Sequence, residues 1–308
     1  MIKLILIALY FIPSLLFARI IVVDQKGRIT SLKEALTIAT AGDTIIIKAG
    51  NYREGNVQIT HPVTIIGDGT PVFDGEEKYE IFTVASDNVT IQGLRFINTG
   101  TASMKDIAAI KVLDSKHVTI DSNQFEEAFF GIHFSNCSES VVRNNVLHAT
   151  ALPEFEIGNG IHMWKCDKIT VDANQIRGHR DGIYFEFVTN SLITNNLSEG
   201  NIRYGLHFMF SHNDDYRHNA FINNGAGVAV MYTKNVKMYD NTFERNWGGA
   251  AYGLLLKDIR DSEVIGNHFV KNTIAIHLEG VSRTEFKNND FRENGYAVRL
   301  QASSDDNV

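Results

Sequence analysis

Three side chains of this sequence carry donors that soft metal ions prefer. His207 and Met209 stand two residues apart in Gly205-Leu-His-Phe-Met209, and Met231 follows Met209 by 22 residues. Imidazole and thioether together suit copper, Cu(I) above all. His162, in Gly160-Ile-His-Met163, offers a further imidazole, and His133 with His162 makes a second candidate pair. Tyr184 and Glu186 border the same stretch. The metal this chemistry points to is copper, bound transiently. The four candidate ligands are His207, Met209, Met231 and His162. Side chains so far apart in the chain act together only if the fold stacks them on one face.

Other chemistries find less support. Sugar hydrolysis or elimination needs clustered carboxylates. Two places before a recurring Asn the residues run Asp121, Arg143, Asp172, Thr194, Arg217, which alternates in sign and reads as a solvated salt ladder. Asp214-Asp215 and His179-Arg-Asp181 are the remaining polar clusters, and neither recurs one repeat away. No catalytic residue is therefore assigned. Phosphate-binding loops, H-E-x-x-H and C-x-x-C are all missing from the sequence, so energy-dependent work falls to another protein. A formal charge of −7 argues against nucleic acid.

What must position the candidates is a repeat. Asn123, Asn145, Asn174, Asn196, Asn219, Asn241, Asn267 and Asn289 follow one another at steps of 22, 29, 22, 23, 22, 26 and 22 residues. An apolar residue, usually Phe, comes two places later, and a second Asn follows in Asn201, Asn224, Asn246, Asn272 and Asn294. A unit this short cannot bury a core alone and has to stack on its neighbours. Two runs per unit alternate with period 2, for example Val118-Thr-Ile120 and Gly131-Ile-His-Phe134, and both read as strands. The expected fold is all-β, a right-handed parallel β-helix of the pectin-lyase-like type. A dozen coils at about 4.8 Å would give a rod near 55 Å long. The Asn residues are expected to take the left-handed bend and to pair their amides along the rod. Phe125, Phe221, Phe243, Phe269 and Phe291 should stack inside, and Ser198 should weaken packing where it replaces them.

Stacking sorts outward side chains into columns. One column reads His133, His162, Tyr184, His207, Ala229, Leu255, His277, Arg299; the next reads Ser135, Trp164, Glu186, Met209, Met231, Lys257, Glu279, Gln301. Met209 then lies beside Met231, with His207 on the same face. Cys137 and Cys166 each come four residues after a column His, so a disulfide between adjacent coils is open to them.

The ends differ from the repeat. Residues 2–17 are nearly all apolar and Ala18 precedes Arg19, which reads as a secretory signal peptide over 1–18. Residues 19–308 then form a single domain. Ser31-Leu-Lys-Glu34 has the pattern of a capping box, so a short helix is expected over Leu32–Ala39, capping the rod. Insertions near His148–Gly158 and Asn246–Ala251 break the period and suit partner contact. The last coil ends without a visible cap, which reads as a truncated C-terminus.

Four segments carry a more specific signal: Asp181-Gly-Ile-Tyr-Phe-Glu-Phe187, Arg203-Tyr-Gly-Leu-His-Phe-Met-Phe-Ser-His-Asn213, Gly225-Ala-Gly-Val-Ala-Val-Met-Tyr232 and Ala251-Tyr-Gly-Leu-Leu-Leu-Lys257. Through them the chain resembles the NosD family, periplasmic factors for the maturation of nitrous oxide reductase. The resemblance implies a periplasmic accessory role in copper-centre assembly. The partners it implies are the apo-reductase, a copper chaperone, and an ABC-type ATPase with its membrane subunit. It implies a maturation factor more than a catalyst. Since the β-helix also serves sugar-active proteins, the competing expectation is a secreted carbohydrate-active enzyme or polysaccharide-binding module.

Overall fold

The computed structural model describes residues 18–102, 105–150, 154, 156–247, 251–302 and 304–308. The signal-peptide reading of 1–18 thus falls almost wholly outside the described residues, and so do parts of both insertions.

The chain winds as a parallel β-helix. Three sheets of twelve, eleven and eleven strands run along the rod, and every strand pair is parallel. A typical coil contributes Lys237–Tyr239 to the first sheet, Thr242–Glu244 to the second and Tyr252–Lys257 to the third. Alternation drives this: Met238 and Phe243 are buried while their neighbours face out. Inside, Phe73, Phe96 and Phe125 stack along one end, and Phe221, Phe243, Phe269 and Phe291 along the other. Each buried ring contributes about 2–3 kcal/mol.

Between these stacks the column passes through Leu147, Ile176 and Ser198. Ser198 is buried and fully used: its Oγ donates to Gly205 O (2.7 Å) and accepts from Asn201 Nδ2 (3.0 Å). The hydroxyl therefore exchanges an aromatic contact for two hydrogen bonds. Its neighbour explains a sequence signal. A Cβ on Gly182 would meet Ser198 Oγ at 2.1 Å and Gly205 O at 2.7 Å, so the corner leading into the third sheet demands a small residue.

The recurrent Asn residues build two internal ladders. In the first, the Oδ1 of each Asn accepts the backbone N–H and the Nδ2 of the Asn one coil before. Asn196 N to Asn219 Oδ1 is 2.9 Å, and Asn219 N to Asn241 Oδ1 is 3.0 Å. The second ladder runs from His179 through Asn201, Asn224, Asn246 and Asn272 to Asn294. The expected amide pairing is present; the expected bend is not where the sequence placed it. The left-handed conformation belongs to the residue before each ladder Asn: Ser122, Asn144, Ala173, Asn195, His218 and Asp240. A ladder Asn has to aim its amide inward along the rod, so its predecessor takes the turn.

Ser31 caps a helix over Leu32–Ile38, its Oγ accepting Glu34 N–H at 3.1 Å. Leu32, Ala35 and Leu36 pack into the core beside the strands Ile20–Val23 and Val57–Ile59.

Candidate functional site on the third sheet

The outer face of the third sheet gathers the candidates. The strands Ile161–Trp164, Asp181–Glu186, Tyr204–Met209 and Ala226–Met231 lie side by side. Their register sets His162 beside Tyr184, Tyr184 beside His207 and His207 beside Ala229. One step along, Trp164, Glu186, Met209 and Met231 form the parallel row. Met209 and Met231 are thus direct partners, about 4.8 Å apart by strand spacing. The Tyr184 hydroxyl donates to Met209 Sδ at 3.5 Å. Burial, with Glu186 beside it, pushes the Tyr184 phenol up, so it remains a donor at neutral pH.

His207 joins the methionines on this face but is no open surface group. It is 5% exposed, held between the rings of Tyr184 (4.9 Å) and Tyr204 (4.6 Å). Neither ring nitrogen has a hydrogen-bond partner among the described residues. His162 lies on the far side of Tyr184, with ring centroids 4.8 Å apart, and stacks on His133 at 4.6 Å. His162 and His207 are therefore two strands apart, about 9.6 Å, and an aromatic ring separates them. Burial lowers His133 to about 4, and burial with His133 and Arg180 nearby lowers His162 well below the usual imidazole value. Both stay neutral at pH 7, and the neutral imidazole is the form that binds metal. The structure brings together His207, Met209 and Met231; it sets His162 apart with His133.

The donor set fits copper(I) held as cargo: two thioethers in register and one neighbouring imidazole with free nitrogens. Among the described residues no group of three or more His, Cys, Asp or Glu is arranged around a metal position. Cys137 and Cys166 sit in neighbouring coils, both buried, both free thiols. Each donates to the carbonyl two residues back, Ser135 O and Trp164 O, as Ser115 does to Leu113 O.

A second constellation sits against His207. Asp181 is 1% exposed and lies 3.8 Å from His207 Nδ1, 3.8 Å from Arg203 Nε and 3.9 Å from Arg180 Nε. Its Oδ1 accepts Tyr204 N–H at 3.3 Å. Arg180 Nε and Asn159 Nδ2 are buried without a hydrogen-bond partner among the described residues, while Arg203 reaches Glu154 at 3.1 Å. The sequence marks Arg180 and Asp181 as a polar cluster but not Arg203 and His207, which meet Asp181 from the next coil. Asp214, by contrast, is buried inside the rod and is no surface acid. Of the expected salt ladder one rung forms: Arg143 Nε donates to Asp121 Oδ2 at 2.8 Å, with Asp121 buried, while Asp172 accepts from Asn195 and Arg217 pairs with Asp215.

One further feature lies in the next row. Phe187, Phe210 and Tyr232 directly follow Glu186, Met209 and Met231. They are 45, 36 and 39% exposed, and they stack face to face at 5.2 and 5.1 Å. All three have left-handed backbones, with φ of 55, 51 and 57°. That conformation costs roughly 1–2 kcal/mol for a residue with a Cβ. The row's other members are Asp114, Asn136, Lys165, Asp258, Gly280 and Ala302. The signal was present in the sequence, as aromatics spaced 23 and 22 residues apart immediately after the second outward column.

Comparison with known proteins adds a family and a fold. A family model described as "Periplasmic copper-binding protein (NosD)" matches residues 147–308, and one for the right-handed β-helix region matches residues 28–152. A Pseudomonas aeruginosa protein described as a probable ABC transporter binding protein NosD is 27% identical over 138 residues. That match covers 44% of this chain and 32% of the relative, so the aligned stretch spans about a third of the relative's length. The A-module of the Azotobacter vinelandii mannuronan C-5 epimerase AlgE4 has a TM-score of 0.67 at 16% identity, covering 89% of this chain and 92% of its own. A Yersinia enterocolitica family 28 exopolygalacturonase gives 0.68 at 10% identity, covering 94% and 78%. The Streptococcus pneumoniae surface adhesin PfbA gives 0.62 at 11%, covering 81% and 83%. These structural likenesses show the β-helix fold alone.

Proposed function

Because this chain belongs to the NosD family of periplasmic copper-binding proteins, we propose that it holds Cu(I) in transit on the third-sheet face. The signal peptide over 1–18 delivers residues 19–308 to the periplasm as one domain. There it serves copper-centre assembly in nitrous oxide reductase, receiving the ion from a copper chaperone and passing it to the apo-reductase. An ABC-type ATPase and its membrane subunit supply the energy this chain has no motif to supply. The observation that carries the reading is the Met209–Met231 pair with His207 beside it. Met209 and Met231 are the primary ligands, and His207, two residues before Met209 on the same strand, is the neighbouring imidazole. His162 with His133 forms a separate landing position. Two or three soft donors on a flat face suit an ion that must leave again.

The test is Cu(I) binding by the mature chain, in competition with a chromogenic chelator. His207→Ala/Met209→Ala/Met231→Ala should lose the tight equivalent, and His162→Ala should keep it. An unchanged stoichiometry in the triple variant sinks the site.

The buried Asp181 cluster favours a second reading, an outer-face site for acidic sugars. Arg180 and Arg203 would meet a carboxylate while Asp181 and His207 exchange protons. Oligouronate binding or turnover that Asp181→Asn abolishes would support it; no binding of oligouronates by the wild type removes it.

A further inference from the structure

We propose that the stacked ridge of Phe187, Phe210 and Tyr232 is the docking surface for a copper(I)-carrying protein that exchanges its ion at Met209 and Met231. The inference rests on the copper reading of the neighbouring residues and adds the partner's footprint to it.

Four observations meet here. First, the row changes chemistry here. The turn is left-handed all along the row, at Asp114, Asn136, Lys165, Asp258, Gly280 and Ala302 as at the three rings, so the backbone conformation does not account for three large aromatic side chains in succession. Second, the rings are exposed yet ordered against one another, with interplanar angles of 11 and 14°. Aromatic side chains of this kind are favoured anchors for protein partners. Third, the ridge is continuous with the copper ligands, because Phe210 and Tyr232 are the next residues after Met209 and Met231. This chain offers two half-buried thioethers, Met209 and Met231, and one imidazole held between tyrosines. An ion there keeps room for a ligand from another protein, and ligand exchange requires that protein to lie against this spot.

Fourth, the charge beyond the ridge says what edge the partner has. A cleft of about 480 Å³ opens beside Tyr232, and His212, Lys234 and Arg260 stand on its wall with a single acid, Asp258. Lys234 and Arg260 are partners in adjacent coils. Lys234 has no ion pair among the described residues, and the carboxylate of Asp261 lies 3.7 Å from Arg260. Like charges set side by side are unfavourable in the free protein, and an acidic rim on the partner relieves them. The occupant is therefore a copper-carrying protein with an apolar patch edged by acidic side chains.

The test variant is Phe187→Asn/Phe210→Asn/Tyr232→Asn, which puts at each position the residue that Asn136 already provides at φ 56°. Folding should be kept, and thermal stability held or raised. The chain's own Cu(I) stoichiometry should be unchanged. Association with a purified periplasmic copper chaperone, apo or Cu(I)-loaded, should weaken by at least about tenfold, the loss expected of a hot-spot cluster. Transfer from the loaded chaperone should slow in proportion. A second variant, Lys234→Glu/Arg260→Glu, should weaken the same association and flatten its salt dependence. Unchanged chaperone binding in the aromatic variant overturns the proposal, and so does a wild-type dimer in sedimentation that this variant dissolves. A wild-type chain that binds the chaperone through the ridge but holds no Cu(I) refutes the copper reading and leaves the ridge standing.

Discussion

Asp214 is an acid in a row of hydroxyls. At the equivalent place in other coils Ser140, Ser191 and Ser262 accept a backbone N–H from the coil before and donate to the carbonyl two residues back. Asp214 Oδ1 accepts Ser191 N–H at 2.9 Å, but Oδ2 has no hydrogen-bond partner among the described residues. Burial pushes this carboxyl well above the usual range, despite that hydrogen bond. Its folded pKa exceeds its unfolded one, so its stabilising share is complete below about pH 4. That share falls as pH rises toward the folded value. Asp214→Ser restores the hydroxyl pattern and removes the titration. We expect the variant to be more stable than wild type at pH 7, by about 1 kcal/mol or more. The difference should shrink below pH 4, read from melting temperatures at both pH values.

The Asn ladder is an element in its own right, and its members are unequal. Asn219 sits mid-ladder: it accepts from Asn196 N and Nδ2 and donates to Ile193 O, Arg217 O and Asn241 Oδ1. Asn289 ends the ladder, half-buried, and its Nδ2 donates to Val264 O at 2.8 Å. Truncating Asn219 strands the buried amide of Asn196 and should cost about 3 kcal/mol. Asn289→Ala leaves its orphaned groups nearer to water and should cost about half as much. Hydrogen exchange separates the two: the Asn196 amide should exchange faster in Asn219→Ala and hold its protection in Asn289→Ala. The second ladder starts on His179 instead of Asn, although no recurrence of Asn marks that coil in the sequence.

At the scale of the rod, that substitution gives the molecule an acid-sensitive belt. Burial lowers His179 to about 3 and lowers His133 and His162 as well. For imidazoles of depressed folded pKa, the stabilising share is present above about pH 6.5 and is lost as pH falls toward 3. His179→Asn continues the ladder and removes one titrating group. Its melting temperature should drop less than that of wild type between pH 7 and 4.5. The belt lies in the coils that carry the copper candidates, so acid should loosen this part of the rod first.

Much of this architecture is legible in the sequence. The Asn beat and the period-2 runs determine the strands, the coil length and the columns, because stacking in register makes every 22nd residue a neighbour. That arithmetic puts Met209 beside Met231 and places His207 on their face, and the structure keeps both relations. Only the tertiary structure decides what each column member experiences. His207 is sealed between two tyrosines, Asp181 meets Arg203 from the next coil, and Ser122 or Asn144 takes the bend in place of the ladder Asn. The physical reason is one of range. Periodicity is carried by each residue's own type and position, so it survives in one dimension. Burial, ring packing and ion pairing depend on side chains from neighbouring coils closing over one another, and that closure exists only once the rod has formed.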